Sequence, residues 1–183
     1  MAKPRTPKGR ARRVHELLAL EYPEAICELT HDNAFQLLIA TILSAQATDV
    51  GVNKVTPALF ARFPTADDLA GANQEDVEEL IGSLGLFRAK SKNIIACAGQ
   101  LVERHGGEVP TPMADLTALA GVGRKTANVV RSVALNAPGL PVDTHVLRLS
   151  GRLGLTTETD PVKVEAALSP MVPAMERGNS VCA

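Results

Sequence analysis

The sequence predicts an all-α protein, and three observations lead to that prediction. The 183-residue chain is rich in Ala, Leu and Val, contains no Trp and has a single Tyr, a profile that favours helices over sheets. Apolar residues recur at helical intervals, and no segment shows the alternation of a strand. The composition, 45% hydrophobic and 21% charged, is typical of a globular protein with a real core.

The N-terminal part predicts a tail followed by two helices. Residues 1–12 are basic, carry no acidic residue and include two prolines, which predicts a flexible tail that is solvated or touches DNA phosphates. Residues 12–21 form a short amphipathic segment, the first predicted helix. Asp32 is a suitable N-cap for the strongly apolar helix that follows it.

The middle of the chain predicts four more helices in succession. Pro57 fits the first turn of one helix, and Thr65 with Asp68 resembles a capping box at the start of the next. A third helix follows from the apolar spacing around Val77. The fourth is longer, over residues 89–105, and ends at a pair of glycines.

The C-terminal part of the sequence indicates two short helices, one before and one after the glycines of "ALAGVGRKTANVV", residues 118–130. A rigid connector, "NAPGLP", leads to a helix that begins at Asp143. Asp160 followed by Pro161 has the pattern of an N-cap with proline at the first helical position. The last predicted helix therefore begins there.

Composition excludes some functions and leaves others open. A net charge of −1 gives no bulk electrostatic support for nucleic-acid binding. The three cysteines, Cys27, Cys97 and Cys182, have neither disulfide nor metal-ligand spacing, so we expect a reducing cytoplasm and no metal site. No stretch approaches the length of a membrane span, and we expect a cytoplasmic monomer without a membrane partner.

The glycine turn at Gly121 and Gly123 has three interpretations. A P-loop needs Gly-Lys-Ser/Thr, but Arg124 separates Gly123 from Lys125, and the preceding segment looks helical. A plain helix–turn–helix corner would use the glycines only for packing. A helix–hairpin–helix would use Gly121-Val122-Gly123 to bring backbone N–H groups to a phosphate, in front of the positive end of the second helix.

Lys125 and Asp143 are the candidate chemical groups. The helix dipole, neighbouring Arg124 and partial burial would all disfavour the charged form of Lys125, which would make it a nucleophilic amine. Binding a phosphate is the equally supported alternative. Asp143 is suited to an N-cap and, at a cleft rim, would also be a fixed carboxylate.

Five motifs follow one another along the chain. They are "SAQATD" (44–49), "LGLFRAKSKNI" (84–94), "GEVP" (107–110), "GVGRKTANVV" (121–130) and "VDTHVLRL" (142–149). In their order and spacing they resemble the endonuclease III family, the bifunctional DNA glycosylases of the helix–hairpin–helix superfamily. The resemblance extends over roughly residues 12–174.

The resemblance implies roles for individual residues. Lys125 matches the family's catalytic lysine and Asp143 its catalytic aspartate. Gln46 and Leu86 match the residues that fill the gap left by a rotated base. The expected DNA contacts are Gln46, Leu86, Gly121, Val122, Gly123, Arg124 and His145. One departure is Ala120, which stands where the family often has proline, so the entry to the turn should be less rigid.

The resemblance also implies a two-lobed fold. One lobe spans residues 35–150 and contains the helix–hairpin–helix at about 114–135. The second lobe takes residues 13–34 and 151–183, and we expect it to be incomplete at the C-terminus. The family usually carries a [4Fe–4S] cluster on four cysteines, and with three cysteines in the sequence we expect no cluster in this chain.

The expected function is base excision on double-stranded DNA with oxidised pyrimidine or abasic sites. The enzyme would remove the base and cut the abasic site by β-elimination through a lysine Schiff base. The alternative is a DNA-binding protein that is catalytically weak or inactive because the C-terminal lobe is missing.

Overall fold

The computed structural model describes residues 4–24 and 26–172. These residues contain helices and no strand, which confirms the all-α prediction. The helices are α1 (Pro7–Glu21), α2 (Ala34–Leu43), α3 (Asp49–Arg62), α4 (Ala66–Ala70), α5 (Gln74–Ile81), α6 (Phe87–His105), α7 (Met113–Thr117), α8 (Arg124–Val133), α9 (Thr144–Arg152) and α10 (Pro161–Leu168). Within the described ranges, none of them is both long and apolar enough to cross a membrane.

The chain forms two compact units. One is continuous, Glu28–Val130, and is called the hairpin unit here. The other combines Met1–Cys27 with Arg131–Ala183 and is called the terminal unit. The two divisions therefore fall at residues 27/28 and inside α8, earlier than the limits of 35 and 150 that the sequence suggests for the lobes.

The hairpin unit is built around α2 and α6. Helix α2 is apolar on nearly all sides, and Leu37, Leu38 and Ile39 are completely buried, as expected for a helix at the centre of a core. Helix α6 contributes Ile94 and Leu101, also completely buried. These two helices form the frame against which the glycine turn packs.

Several helix starts differ from the sequence prediction, and in three of them the cap explains the difference. Residues 7–12, expected in the tail, are the first turns of α1, because Thr6 caps the helix and Pro7 starts it. Helix α2 is capped by Asn33, one residue after Asp32. Helix α3 begins at Asp49 after the cap Thr48, which leaves Pro57 inside the helix rather than in its first turn.

Other caps agree with the prediction. Thr65 and Asp68 form a reciprocal capping box at the start of α4. Asp160 accepts hydrogen bonds from the backbone N–H groups of Val162 and Lys163, each at 3.0 Å, with Pro161 as the first residue of α10. Short polar side chains thus fix these starts, and their signal is local in the sequence.

The terminal unit has a small core. Leu140, Val164 and Leu168 are its buried members, with partly buried side chains such as Val146 and Leu155 packed against them. The Arg10 guanidinium of α1 donates a hydrogen bond to the Gly154 carbonyl. Polar contacts therefore supplement a limited apolar core in this unit.

Candidate nucleic-acid interface

The glycine turn lies between α7 and α8 and is anchored by apolar side chains. Leu116 is completely buried, and Leu119 and Val122 are nearly so. On the far side Ala127, completely buried in α8, is the small packing residue that a helix–hairpin–helix requires. The middle of the turn is thus held inward while the glycines on either side are exposed.

The fold constrains the two glycines of the turn differently. Gly121 has φ +74°, and a Cβ placed there would lie 3.1 Å from both Asn93 Cβ and Ile42 Cγ2. A side chain larger than hydrogen would therefore be both strained and crowded at this position, so the fold itself favours glycine. At Gly123 an added Cβ would meet no heavy atom within 4 Å. The fold does not require Gly123, whereas close approach of a ligand to the backbone would explain it.

The N-terminal end of α8 faces this open position. The first N–H groups of a helix have no partner within the helix, and together with the helix dipole they favour an anion. Neither Gly121 nor Gly123 donates its N–H to a backbone acceptor in the described part of the chain. The turn and the helix end are therefore suited to a phosphate group.

Lys125 lies in the first turn of α8, directly after Arg124, and both are exposed. Partial burial therefore does not act on Lys125, because only the residues that follow it, Ala127 and Asn128, enter the core. The position of Lys125 permits both phosphate binding and nucleophilic attack.

The entry to the turn is held by a side chain from α6. The Ala120 N–H donates a hydrogen bond to Gln100 Oε1 at 2.7 Å. Nothing in the local sequence of the turn indicates this contact, because twenty residues separate the partners. The lower rigidity expected at Ala120 from the absence of proline is thus offset by a tertiary hydrogen bond.

Gln46 and Leu86 lie in two connectors that end near α2 and α6. Both adopt left-handed backbone conformations, with φ 54° and 59°, and both are exposed, Leu86 by 60%. A residue other than glycine in this region carries a conformational cost on the order of 1 kcal/mol. Gln46 follows α2, and Ile42 of that helix lies next to Gly121. Leu86 is the N-cap residue of α6, and Asn93 of that helix also lies next to Gly121. The hairpin unit thus brings both connectors to the helices that support the turn.

Asp143 and His145 belong to the terminal unit. Asp143 caps α9, where its Oδ1 accepts a hydrogen bond from the Val146 N–H at 2.8 Å. His145 lies in the first turn of α9 and is exposed. The cap fixes the Asp143 carboxylate, as the sequence predicts.

The sequence prediction did not include Lys90, which is only 4% exposed in α6. Its Nζ has no hydrogen-bond partner among the described residues, and burial lowers the pKa of this amine. The sequence did contain one sign that Lys90 is buried: its helical spacing from Ile94 and Leu101 places Lys90 on the buried face of α6.

The residues of this chain do not provide a four-cysteine set for a cluster. Cys97 lies completely buried inside α6, and burial raises the pKa of its thiol to about 12. Cys27 is partly exposed in the other unit, and Cys182 lies outside the described residues. Within residues 4–24 and 26–172, no group of three or more His, Cys, Asp or Glu side chains could hold a metal ion.

Comparison with known proteins supports the interpretation of the turn. A family model for the HhH-GPD superfamily base excision DNA repair protein matches residues 39–174. Endonuclease III of Synechocystis sp. is 48% identical, over 96% of this chain and 85% of that protein. Endonuclease III of Bacillus subtilis is 47% identical, over 83% of this chain and 70% of that protein.

Comparison with solved structures gives the same result as comparison of sequences. A trapped endonuclease III–DNA covalent intermediate superposes with a TM-score of 0.88 at 42% identity, covering 98% of this chain and 83% of that one. A thermostable thymine-DNA glycosylase, 18% identical with a TM-score of 0.81, shares the fold. Fold and turn together define a DNA-binding protein of base excision repair in the HhH-GPD superfamily. Within it, the chain belongs to the endonuclease III family. It is a DNA glycosylase with lyase activity at apurinic and apyrimidinic sites.

Proposed function

We propose that Lys125 is the nucleophile of this enzyme. The observation that supports this best is an exposed amine in the first turn of α8, immediately after a glycine turn suited to a phosphate. A nucleotide bound there would present its sugar to the amine. Lys125 also matches the catalytic lysine that the family resemblance implies.

The Gly121–Gly123 turn and the N-terminal end of α8 bind the DNA backbone. Amide N–H groups and the helix dipole supply the attraction, which allows binding in a chain whose net charge is −1. Contacts of this kind position the duplex without reading its sequence. Arg124 and His145, both exposed at helix starts, are further proposed DNA contacts.

The damaged nucleotide is rotated out of the stack before reaction, at a cost of a few kcal/mol. Gln46 and Leu86 fill the space that it leaves. Their exposure and left-handed backbones support this role, because strained backbone at residues other than glycine is concentrated at functional sites. An apolar wedge between base steps is a common device for this purpose.

The substrates are oxidised pyrimidines and abasic sites in duplex DNA. The Lys125 amine attacks C1′ of the sugar, the bond from C1′ to the base breaks, and the base leaves with a proton. The C1′–O4′ bond then breaks and O4′ takes up a proton, which gives the Schiff base between C1′ and the Lys125 nitrogen. The Schiff base acidifies the C2′ hydrogen, and its loss in β-elimination breaks the C3′–O3′ bond, with the 3′ phosphate as the leaving group. Asp143 stabilises the positive charge that develops on the sugar and assists the proton transfers.

The test is covalent trapping by borohydride on a duplex with an abasic site. We expect the unchanged protein to be trapped and Lys125→Ala to give no adduct. Lys163→Ala is the matched control, since Lys163 is likewise an exposed lysine in the first turn of a helix, α10. Equal trapping of Lys125→Ala would disprove the assignment. Binding of the unchanged protein without trapping would favour a DNA-binding protein without lyase activity.

A further inference from the structure

Gln100 lies in the second half of α6, outside the motifs that define the glycine turn. Its Oε1 accepts the hydrogen bond from the Ala120 N–H at 2.7 Å, at a partly buried position. Ala120 is the residue immediately before Gly121. A side chain twenty positions earlier in the sequence therefore fixes the backbone at the point where the turn begins.

The other backbone hydrogen bonds around the turn are local. Leu119 N–H donates to Leu116 O, Val122 N–H to Leu119 O, and Ala127 N–H to Gly123 O. These bonds shape the turn but do not tie it to the rest of the unit. The Gln100 bond is the polar tie from Ala120 to another helix.

Helix α6 supports the turn at two points on one face. Asn93 lies against Gly121, where an added Cβ would be 3.1 Å from Asn93 Cβ. Gln100 follows Asn93 by seven residues, two helical turns, and so lies on the same side of α6. One contact sets the distance between the turn and α6, and the other sets the orientation of the peptide that enters the turn.

We infer that Gln100 is a positioning residue for phosphate binding by the Gly121–Gly123 turn. The inference rests on the proposed function of that turn. Oriented N–H groups bind an anion well only when they are held before the ligand arrives. Loss of the Gln100 acceptor leaves the Ala120 N–H without its partner and lets the turn depart from the binding geometry.

The hydrogen bond predicts a specific rescue. Proline has no N–H and a fixed φ near −65°, and Ala120 is not among the residues with positive φ. Proline at position 120 would therefore need no acceptor and would itself restrict the entry to the turn. Ala120→Pro should thus make position 100 unimportant for binding.

The experiment measures affinity for a duplex with a tetrahydrofuran abasic analogue, which binds without reacting. Gln100→Leu should weaken binding about three- to tenfold, the effect of one lost hydrogen bond. The double variant Gln100→Leu/Ala120→Pro should return to within about twofold of the unchanged protein. Glu103→Leu, at an exposed position of α6, is the control and should bind normally.

Reaction on a natural abasic site provides a second readout. Gln100→Leu should raise the DNA concentration for half-maximal trapping and leave the maximal trapping rate unchanged, since Lys125 is intact. Equal affinity of Gln100→Leu and the unchanged protein would overturn the inference. A weakened Gln100→Leu that Ala120→Pro does not rescue would also overturn it, because the residue would then act through packing. An unchanged protein that does not bind the duplex would refute the proposed function, and the inference with it.

Discussion

The hairpin unit and the terminal unit differ in how much apolar surface each buries. The largest completely buried side chains of the described residues, among them Leu38, Leu59 and Leu101, all belong to the hairpin unit. The terminal unit has instead most of the exposed large apolar side chains, including Leu20 at 76% and Ile26 at 73%. Lys125 therefore lies in a densely packed unit, and Asp143 lies in one that its own core stabilises weakly.

The largest expected effect is on stability, from one leucine truncation in each unit. Leu38→Ala should lower the free energy of unfolding by about 3–5 kcal/mol, since Leu38 is completely buried in α2 and the cavity cannot collapse. Leu168→Ala, at a buried position of the small terminal core, should cost about 2 kcal/mol, because few side chains surround it. Urea denaturation followed by far-ultraviolet circular dichroism measures both, as the chain has no Trp. Equal losses would show that the two cores are equally tight.

The second prediction tests whether the negative charge of Asp143 is needed for the reaction, apart from its role as the N-cap of α9. Asp143→Asn keeps a good N-cap but removes the negative charge, so the free energy of unfolding should change little. Trapping on an abasic duplex should become about 100-fold slower, in the range of a lost proton-transfer or charge-stabilising group. Asp160→Asn, the same change at the cap of α10, is the control and should alter neither quantity. Normal trapping by Asp143→Asn would remove Asp143 from the chemistry.

A third prediction compares the two glycines of the turn. Gly121→Ala should lower stability by about 1–3 kcal/mol because of its positive φ and the crowding by Asn93 and Ile42. Gly123→Ala should leave stability within about 1 kcal/mol, yet weaken binding of the abasic-analogue duplex, because the new methyl group stands where the phosphate approaches. Normal binding by Gly123→Ala would show that the phosphate lies elsewhere.

The features that the sequence could predict are those that depend on residues close together in the chain. The caps at Thr65, Asp143 and Asp160 were predictable because a cap depends on residues within three or four positions. The hairpin was predictable for the same reason, since its glycines and apolar anchors are neighbours. The prediction that Pro57 marks the first turn of a helix was wrong, because this proline is tolerated inside α3, which begins after its cap Thr48.

Tertiary contacts were beyond sequence reasoning. The Gln100–Ala120 hydrogen bond joins residues with no periodic relation. Likewise, the exposure of Lys125 depends on which face of α8 meets the core, and the sequence does not show whether the core begins at Lys125 or, as in the structure, two residues later at Ala127. The roles of Lys125, Asp143, Gln46 and Leu86 were suggested by family resemblance and stay predictions until the variants are measured.

The smallest expected effect concerns Lys90 and depends on pH. Burial in α6 lowers the pKa of Lys90 below its ordinary value of 10.5, so between the lowered value and 10.5 the unfolded chain binds more protons than the folded one. Stability contributed by this site therefore rises with pH across that window, by less than about 1.4 kcal/mol per pH unit. The measurement is the free energy of unfolding in urea at several alkaline pH values.

Two variants isolate the contribution of Lys90 from the other groups that titrate in the same range. Lys90→Met should lose part of the rise with pH, because its side chain carries no proton to release. Lys92→Met, two residues further along α6 and exposed, should keep the full slope. If the slopes of Lys90→Met and the unchanged protein were equal, the buried amine would not be coupled to folding. A reduced slope would show that the hairpin unit, although densely packed, tolerates one buried amine at a measurable cost in stability.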